Sequence, residues 1–241
     1  MPTPPMKLSA AGIRELILHE GVVLGPYLDS AGIWTYGVGH TAEAGLPDPS
    51  KMEKVDTKSW SAERVSEELA FALGLFEKDV QKYVDRVNDA VKVPLTQHEF
   101  DALVSFDYNT GGIYRAKLTK NINDGKPDPK DFLGWLKPVE IAQRRNKEMT
   151  LFMSGNYAPQ TVEVPVYDVS AQGKLKLRQR MPMDPTMVHE RAPEDTKPLA
   201  VDEFFVDSPT LSKPESAFFA VLGQLLKALL NLFGSSRKVD K

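Results

Sequence analysis

Glu20 closes a helix-patterned segment, Asp29 follows nine residues on, and Thr35 six after that, within the run HEGVVLGPYLDSAGIWTYGVGHT. Two carboxyl groups and a hydroxyl at such intervals suit hydrolysis of a glycosidic bond. One carboxyl protonates the departing oxygen, while the other stabilises oxocarbenium-like charge or directs the attacking group. Glu20, with Val22 and Val23 beside it, is the better candidate for the acid. Two solvated side chains would show the same spacing, so the intervals alone do not decide.

Other chemistries lack their residues. The chain of 241 residues has no cysteine, which removes thiolate nucleophiles, disulfides and Cys-ligated zinc. His19, His40, His98 and His189 show no H-x-x-x-H spacing, and neither a P-loop nor a G-x-S-x-G is present. No metal and no cofactor is called for. A formal net charge of −3 is not the basic excess by which proteins neutralise phosphates, so nucleic acid is not an expected partner.

The elements that must hold these groups follow from periodicity. Ser9 reads as the N-cap of a helix over 9–20 with Ile13, Leu16 and Ile17 on one side, which puts Glu20 at its C-terminal end. Gly21 and Gly25-Pro26 break the pattern, and Tyr27 to Thr41 reads as a small hairpin carrying Asp29. Val65, Leu69, Leu73, Phe76, Val80, Val84 and Val87 form the buried stripe of a long helix over 61–87. Thr96 and Glu99 make a capping box for a helix that stops near Gly111-Gly112. Shorter helices are expected over 115–122 and 129–136, and a last one over about 139–154, closed by Gly155.

In this setting the sequence resembles the phage-type lysozymes and endolysins of glycoside hydrolase family 24. The resemblance rests on the carboxylate, carboxylate and threonine spacing, on the run Thr35-Tyr36-Gly37-Val38-Gly39-His40, and on the segments QHEFDALVSFDYNTGG (97–112) and EIAQRRNKEMTLFMSG (140–155). It implies an α+β fold, a mostly helical, two-lobed lysozyme-like domain over 7–157 with a small N-terminal sheet. It implies Glu20 as general acid, Asp29 as second catalytic carboxylate, and Thr35 as a hydroxyl that positions Asp29 or water. Phe106 and Asp107 lie where the family presents residues to the substrate; the alternatives are core for Phe106 and a solvated or capping role for Asp107. Gly37 and Gly39 either let a sugar approach the backbone or satisfy strand bends. His40 is expected as a structural group with an acidic partner. Arg144 and Arg145 meet either acidic stem peptides or nearby carboxylates. The expected partner is the peptidoglycan glycan strand, cut between N-acetylmuramic acid and N-acetylglucosamine. The alternative is a peptidoglycan-binding or virion structural module without activity.

The resemblance leaves residues 158–241 unaccounted for, and they are expected as a C-terminal extension. It would comprise a hairpin within 161–180, a Pro-rich arm over 181–214, and an amphipathic helix over 215–233. That helix would dock on the protein itself or on a second copy, or lie on a membrane surface. The first residues read as neither signal peptide nor anchor. The expectation is therefore synthesis in the cytoplasm of a host bacterium and action on the wall after release.

Overall fold

The computed structural model describes residues 4–137 and 141–182. Most of the arm and the whole amphipathic segment 215–233 therefore lie outside the described residues. Helix α1 (Ala10–Glu20) starts where Ser9 Oγ accepts the Gly12 N–H at 3.0 Å, and Ser9 is tied in turn to Asp101. Strand β1 (Val22–Leu28) follows at once, then β2 (Trp34–Gly37) and β3 (His40–Thr41). Helix α2 (Ala62–Ala90) buries Val65, Leu69, Phe76, Val80, Val84 and Val87, while Leu73 is only partly buried. Helix α3 (Gln97–Thr110) begins at the Thr96–Glu99 capping box, and α4 (Lys117–Asn123) and a 3-10 turn (Pro129–Gly134) follow. Helix α5 (Ala142–Ser154) ends at Gly155 in the left-handed region, and β4 (Val164–Val169) and β5 (Leu175–Met181) complete the described chain.

The N-terminal part of α2, as far as Asp79, covers the sheet, through Tyr36 to Glu68 and His40 to Asp79, and its C-terminal part meets α3 through Arg86 and Asp107. One long helix thus joins the sheet side to the helical side. Helix α1 lies against α3, so Glu20 sits where the two sides meet.

Two expectations are corrected here. Strand β1 starts at Val22 rather than near Tyr27 and runs through Gly25-Pro26, with a register shift between Val23 and Tyr27. A bulge accommodates a residue without an N–H and a glycine that breaks the pleat. The boundary expected at 157/158 is also crossed, because the five strands form one sheet in the order β3-β2-β1-β4-β5. Strand β4 pairs in parallel with β1, Val22 opposite Val166 and Val23 opposite Tyr167. Val164, Val166 and Met181 enter the common core. Arg14, buried in α1, donates to the carbonyls of Ala158, Pro159 and Val162, which fastens the chain between α5 and β4.

Candidate active site

Glu20 is the last residue of α1, and its Oε1 accepts Arg144 Nη1 at 2.5 Å. Arg144 is buried on α5 and also donates Nε to Glu148 Oε1 at 2.9 Å and Nη2 to the Ser105 carbonyl at 3.2 Å. Burial works against the Arg144 charge, but Glu20 and Glu148 outweigh it and hold the guanidinium above its usual pKa. Glu148 is shared with Arg145 and with Ser105 Oγ at 2.7 Å. Two carboxylates and two guanidiniums therefore balance in one desolvated cluster, the condition under which buried charge is tolerated. His19, next to Glu20, is pushed down to about 3 by burial and by the charges of Arg144, Lys147 and Arg145, and stays neutral.

Asp29 sits in the turn from β1 to β2. Its Oδ1 accepts the N–H groups of Ala31 and Ile33, both at 2.8 Å, so the short polar side chain builds the turn that carries it. Thr35, buried on β2, donates Oγ1 to the Ile33 carbonyl at 3.1 Å. Tyr27 relates the three residues. It is the cross-strand partner of Thr35, and its phenol is pushed up to about 12 by burial and then by the charges of Glu20 and Asp29. Both carboxylates therefore act on one phenol that faces Thr35 across the strands.

Gly39 borders the same place. Its φ is +80°, and a Cβ there would lie 3.3 Å from the Tyr108 hydroxyl and 3.8 Å from Glu20 Oε2, so a side chain would crowd the acid. The Tyr108 hydroxyl donates to the Val38 carbonyl at 2.6 Å. Burial first, then Glu20 and Asp79, raise its pKa well above the ordinary value. Gly37 is different, since its missing Cβ would meet Ala72 of α2 at 3.1 Å; it serves the packing of helix on sheet.

Residues 18–148 match the family model described as phage lysozyme. The chain belongs to the phage lysozyme family. Its relatives include the endolysin of Salmonella phage P22, 35% identical over 157 residues, which covers 62% of this chain and 99% of that protein. The endolysin of Bacillus phage PZA is 34% identical over 161 residues, 62% of this chain and 56% of that protein. Among solved structures, the endolysin from Escherichia coli O157:H7 phage FAHEc1 aligns with a TM-score of 0.50 and 31% identity, over 64% of this chain and 98% of that one. As a phage lysozyme the chain is a glycoside hydrolase of the muramidase class, with peptidoglycan as its substrate. The matched region holds Glu20, Asp29 and Thr35 and ends before β4 and β5.

Two residues expected at the substrate do not face it. Phe106 is fully buried, edge-on to Phe132 and Trp135 with ring centroids 5.6 and 5.4 Å away. Asp107 is also fully buried, with Arg86 Nε at 2.6 Å from Oδ2 and the Ile113 N–H at 2.9 Å from Oδ1. Helix α3 is buried continuously from Phe100 to Asp107, so a residue there reaches protein and not solvent. Phe106 is core, as its alternative had it, while Asp107 is not solvated but holds Arg86 and the chain after α3. Tyr27 and Tyr108 were not singled out from sequence. The signal for Tyr27 was its place two residues before Asp29, and Tyr108 stood inside the quoted segment 97–112 without a chemical reason to choose it.

Proposed function

We propose that the chain hydrolyses the β-1,4 bonds between N-acetylmuramic acid and N-acetylglucosamine, with Glu20 as general acid, Asp29 as second carboxylate and Thr35 as the hydroxyl beside them. The observation that carries this reading is that one strand, β1, leads from Glu20 at the end of α1 to the turn built on Asp29, and is paired at Tyr27 with Thr35. Arg144 occupies Glu20 Oε1, which leaves Oε2, beside Gly39, as the atom that carries the proton when Glu20 is in its acid form; transfer to the leaving oxygen returns Glu20 to the carboxylate. Asp29, with Oδ1 fixed by two backbone donors, then faces the positive charge that develops on the sugar. Gly39 leaves room for the ring.

The test is a zymogram on purified cell walls, with mass analysis of the products, for the wild type, Glu20→Gln and Asp29→Asn. Each substitution keeps side-chain volume and removes the charge or proton, so activity falls by about 10²-fold or more while folding is kept. A Glu20→Gln protein retaining more than about a tenth of the activity refutes the acid assignment. A 1,6-anhydro end in the products would identify a transglycosylase instead. The protein is made in the cytoplasm of the host bacterium and meets the wall after release. We further propose that the apolar segment 215–233 docks on the protein itself or on a second copy, or meets a membrane surface.

A further inference from the structure

The β4–β5 hairpin lies beyond the region the family shares, yet it is bonded to the strand that leads from Glu20 to Asp29. Partners opposite one another in a sheet point to the same face, and that face alternates along the strand. Val22 and Val166 are both fully buried, so their face is the one packed on the helices. Val23 and its partner Tyr167 lie on the other face, as does Thr35 with its partner Tyr27, because Thr35 alternates with Tyr36, whose hydroxyl reaches Glu68 on α2. The hairpin therefore widens by two strands the sheet face that carries Thr35.

Three features of this face suit a ligand. Tyr167 abuts the backbone immediately after the acid: a Cβ on Gly21 would sit 2.9 Å from its Cε2 and 3.3 Å from the Pro165 carbonyl oxygen. Opposite Tyr167 stands Leu177, and one step further, opposite Val169, stands Leu175. Both leucines are large apolar side chains left 45% and 43% exposed. Arg180 stands opposite Pro165, which shares the face of Tyr167, and a register shift between Val166 and Tyr167 brings it to the same face as Leu177; it is exposed and makes no ion pair with any described residue. An aromatic ring, a leucine and an unpaired cation thus lie in a row that starts beside Glu20.

We propose that this face is an added subsite for the peptidoglycan strand next to the bond being cut. The apolar side of a sugar ring rests on Tyr167 and Leu177, and Arg180 meets a carboxylate of the stem peptide. Continuity with the site around Glu20 selects the occupant, and the cation matches the acidic stems that hang from alternate sugars. The inference rests on the proposed glycan cleavage, which sets where the strand must run.

The test uses the full chain with Leu177→Asn and Arg180→Glu, singly and together. Tyr167 is left in place because its ring fills the space over Gly21. Lys176→Glu is the control, since Lys176 pairs with Asp168 and lies on the opposite face of β5. Two readouts are taken on purified, insoluble peptidoglycan: co-sedimentation, which needs no turnover, and KM and kcat for release of soluble fragments. The expected result is binding weakened about fivefold or more by each face variant. KM should rise in step, kcat should change far less, the thermal midpoint should stay put, and Lys176→Glu should match the wild type. Wild-type binding by both face variants, or an equal loss in Lys176→Glu, overturns the subsite. A wild-type chain that sediments with peptidoglycan but releases nothing overturns the hydrolytic reading, and the binding series still decides the subsite.

Discussion

Val166→Ala tests whether the β4–β5 hairpin belongs to the same cooperative unit as the helices. Val166 is fully buried, opposite Val22 in the parallel pair that joins hairpin to sheet. The substitution deletes two carbons' worth of apolar burial, at about 0.8 kcal/mol each, and leaves a small cavity costing about 24 cal/mol per Å³. The loss comes to roughly 2–3 kcal/mol, a large part of the 5–15 kcal/mol typical of a domain. At about 2–4 °C per kcal/mol for a fold of this size, the midpoint should fall by roughly 4–12 °C. Urea and thermal unfolding followed by far-UV circular dichroism read the helices, which hold most of the signal and lie outside the hairpin that carries Val166. A helical transition at the wild-type midpoint, with only a minor early change, would refute one cooperative unit and restore the hairpin to a separate extension. The same reasoning predicts that a chain ending at Ala158 does not fold well. It would bare the β1 edge and leave Arg14 without the Pro159 and Val162 carbonyls.

Arg144→Met should cost about 3–5 kcal/mol, because it leaves Glu20 without its guanidinium and Glu148 with Arg145 and Ser105 alone; an unchanged urea midpoint would contradict this. Two histidines should tilt stability in opposite senses. Burial lowers the His40 pKa, but bonds to Asp79 and to the Pro47 carbonyl outweigh it and the net value is raised, so its contribution is full below about pH 6.5 and is lost as pH rises through the raised value. His19 is depressed, so the unfolded chain takes up its proton first, and stability falls as pH drops from about 6.5 toward 3. His40→Gln should flatten the alkaline side of the stability profile and His19→Gln the acid side, and urea midpoints across pH that stay parallel to the wild type would refute both. Full-length protein should co-sediment with anionic liposomes at low salt, and a version ending at Lys213 should not, if residues 215–233 lie on membranes; no binding by either leaves self-association, read by analytical ultracentrifugation.

Local signals were legible in the sequence, and long-range ones were not. The α2 stripe, the Thr96–Glu99 box and the stop at Gly155 each depend on residues within a few turns, and each forms where the pattern puts it. The course of β1 was hidden by Gly25-Pro26, which reads as a break when taken alone. Only a neighbouring strand makes a bulge possible there: β2 supplies it, while the pairing that holds the start of β1 comes from β4, more than a hundred residues away. Phe106 and Asp107 were drawn toward the substrate by resemblance, against a pattern already in the letters. FDALVSFD over 100–107 is apolar on nearly every side of a helix, which marks a helix surrounded by protein, and an aspartate inside it needs a buried partner such as Arg86.

The hairpin also changes the edge of the sheet. Without β4, strand β1 would present unpaired backbone groups beside Glu20 and Asp29, and an exposed edge invites pairing with another chain. With the hairpin in place the edge passes to β5, where Lys174, Lys176, Arg178 and Arg180 supply the charge that discourages such pairing. Arg178 is further fixed by Asp168 at 2.8 Å and by the carbonyls of Thr57 and Trp60, both at 3.1 Å, so the new edge is pinned to the loop before α2. The strand carrying the link between the two carboxylates is thereby held on both sides, by β2 and by β4. Stiffness at Glu20 and Asp29 is then a property of the whole five-stranded sheet, which is why Val166→Ala, outside the two carboxylates but opposite Val22, is expected to lower the temperature at which activity is lost in step with the helical transition.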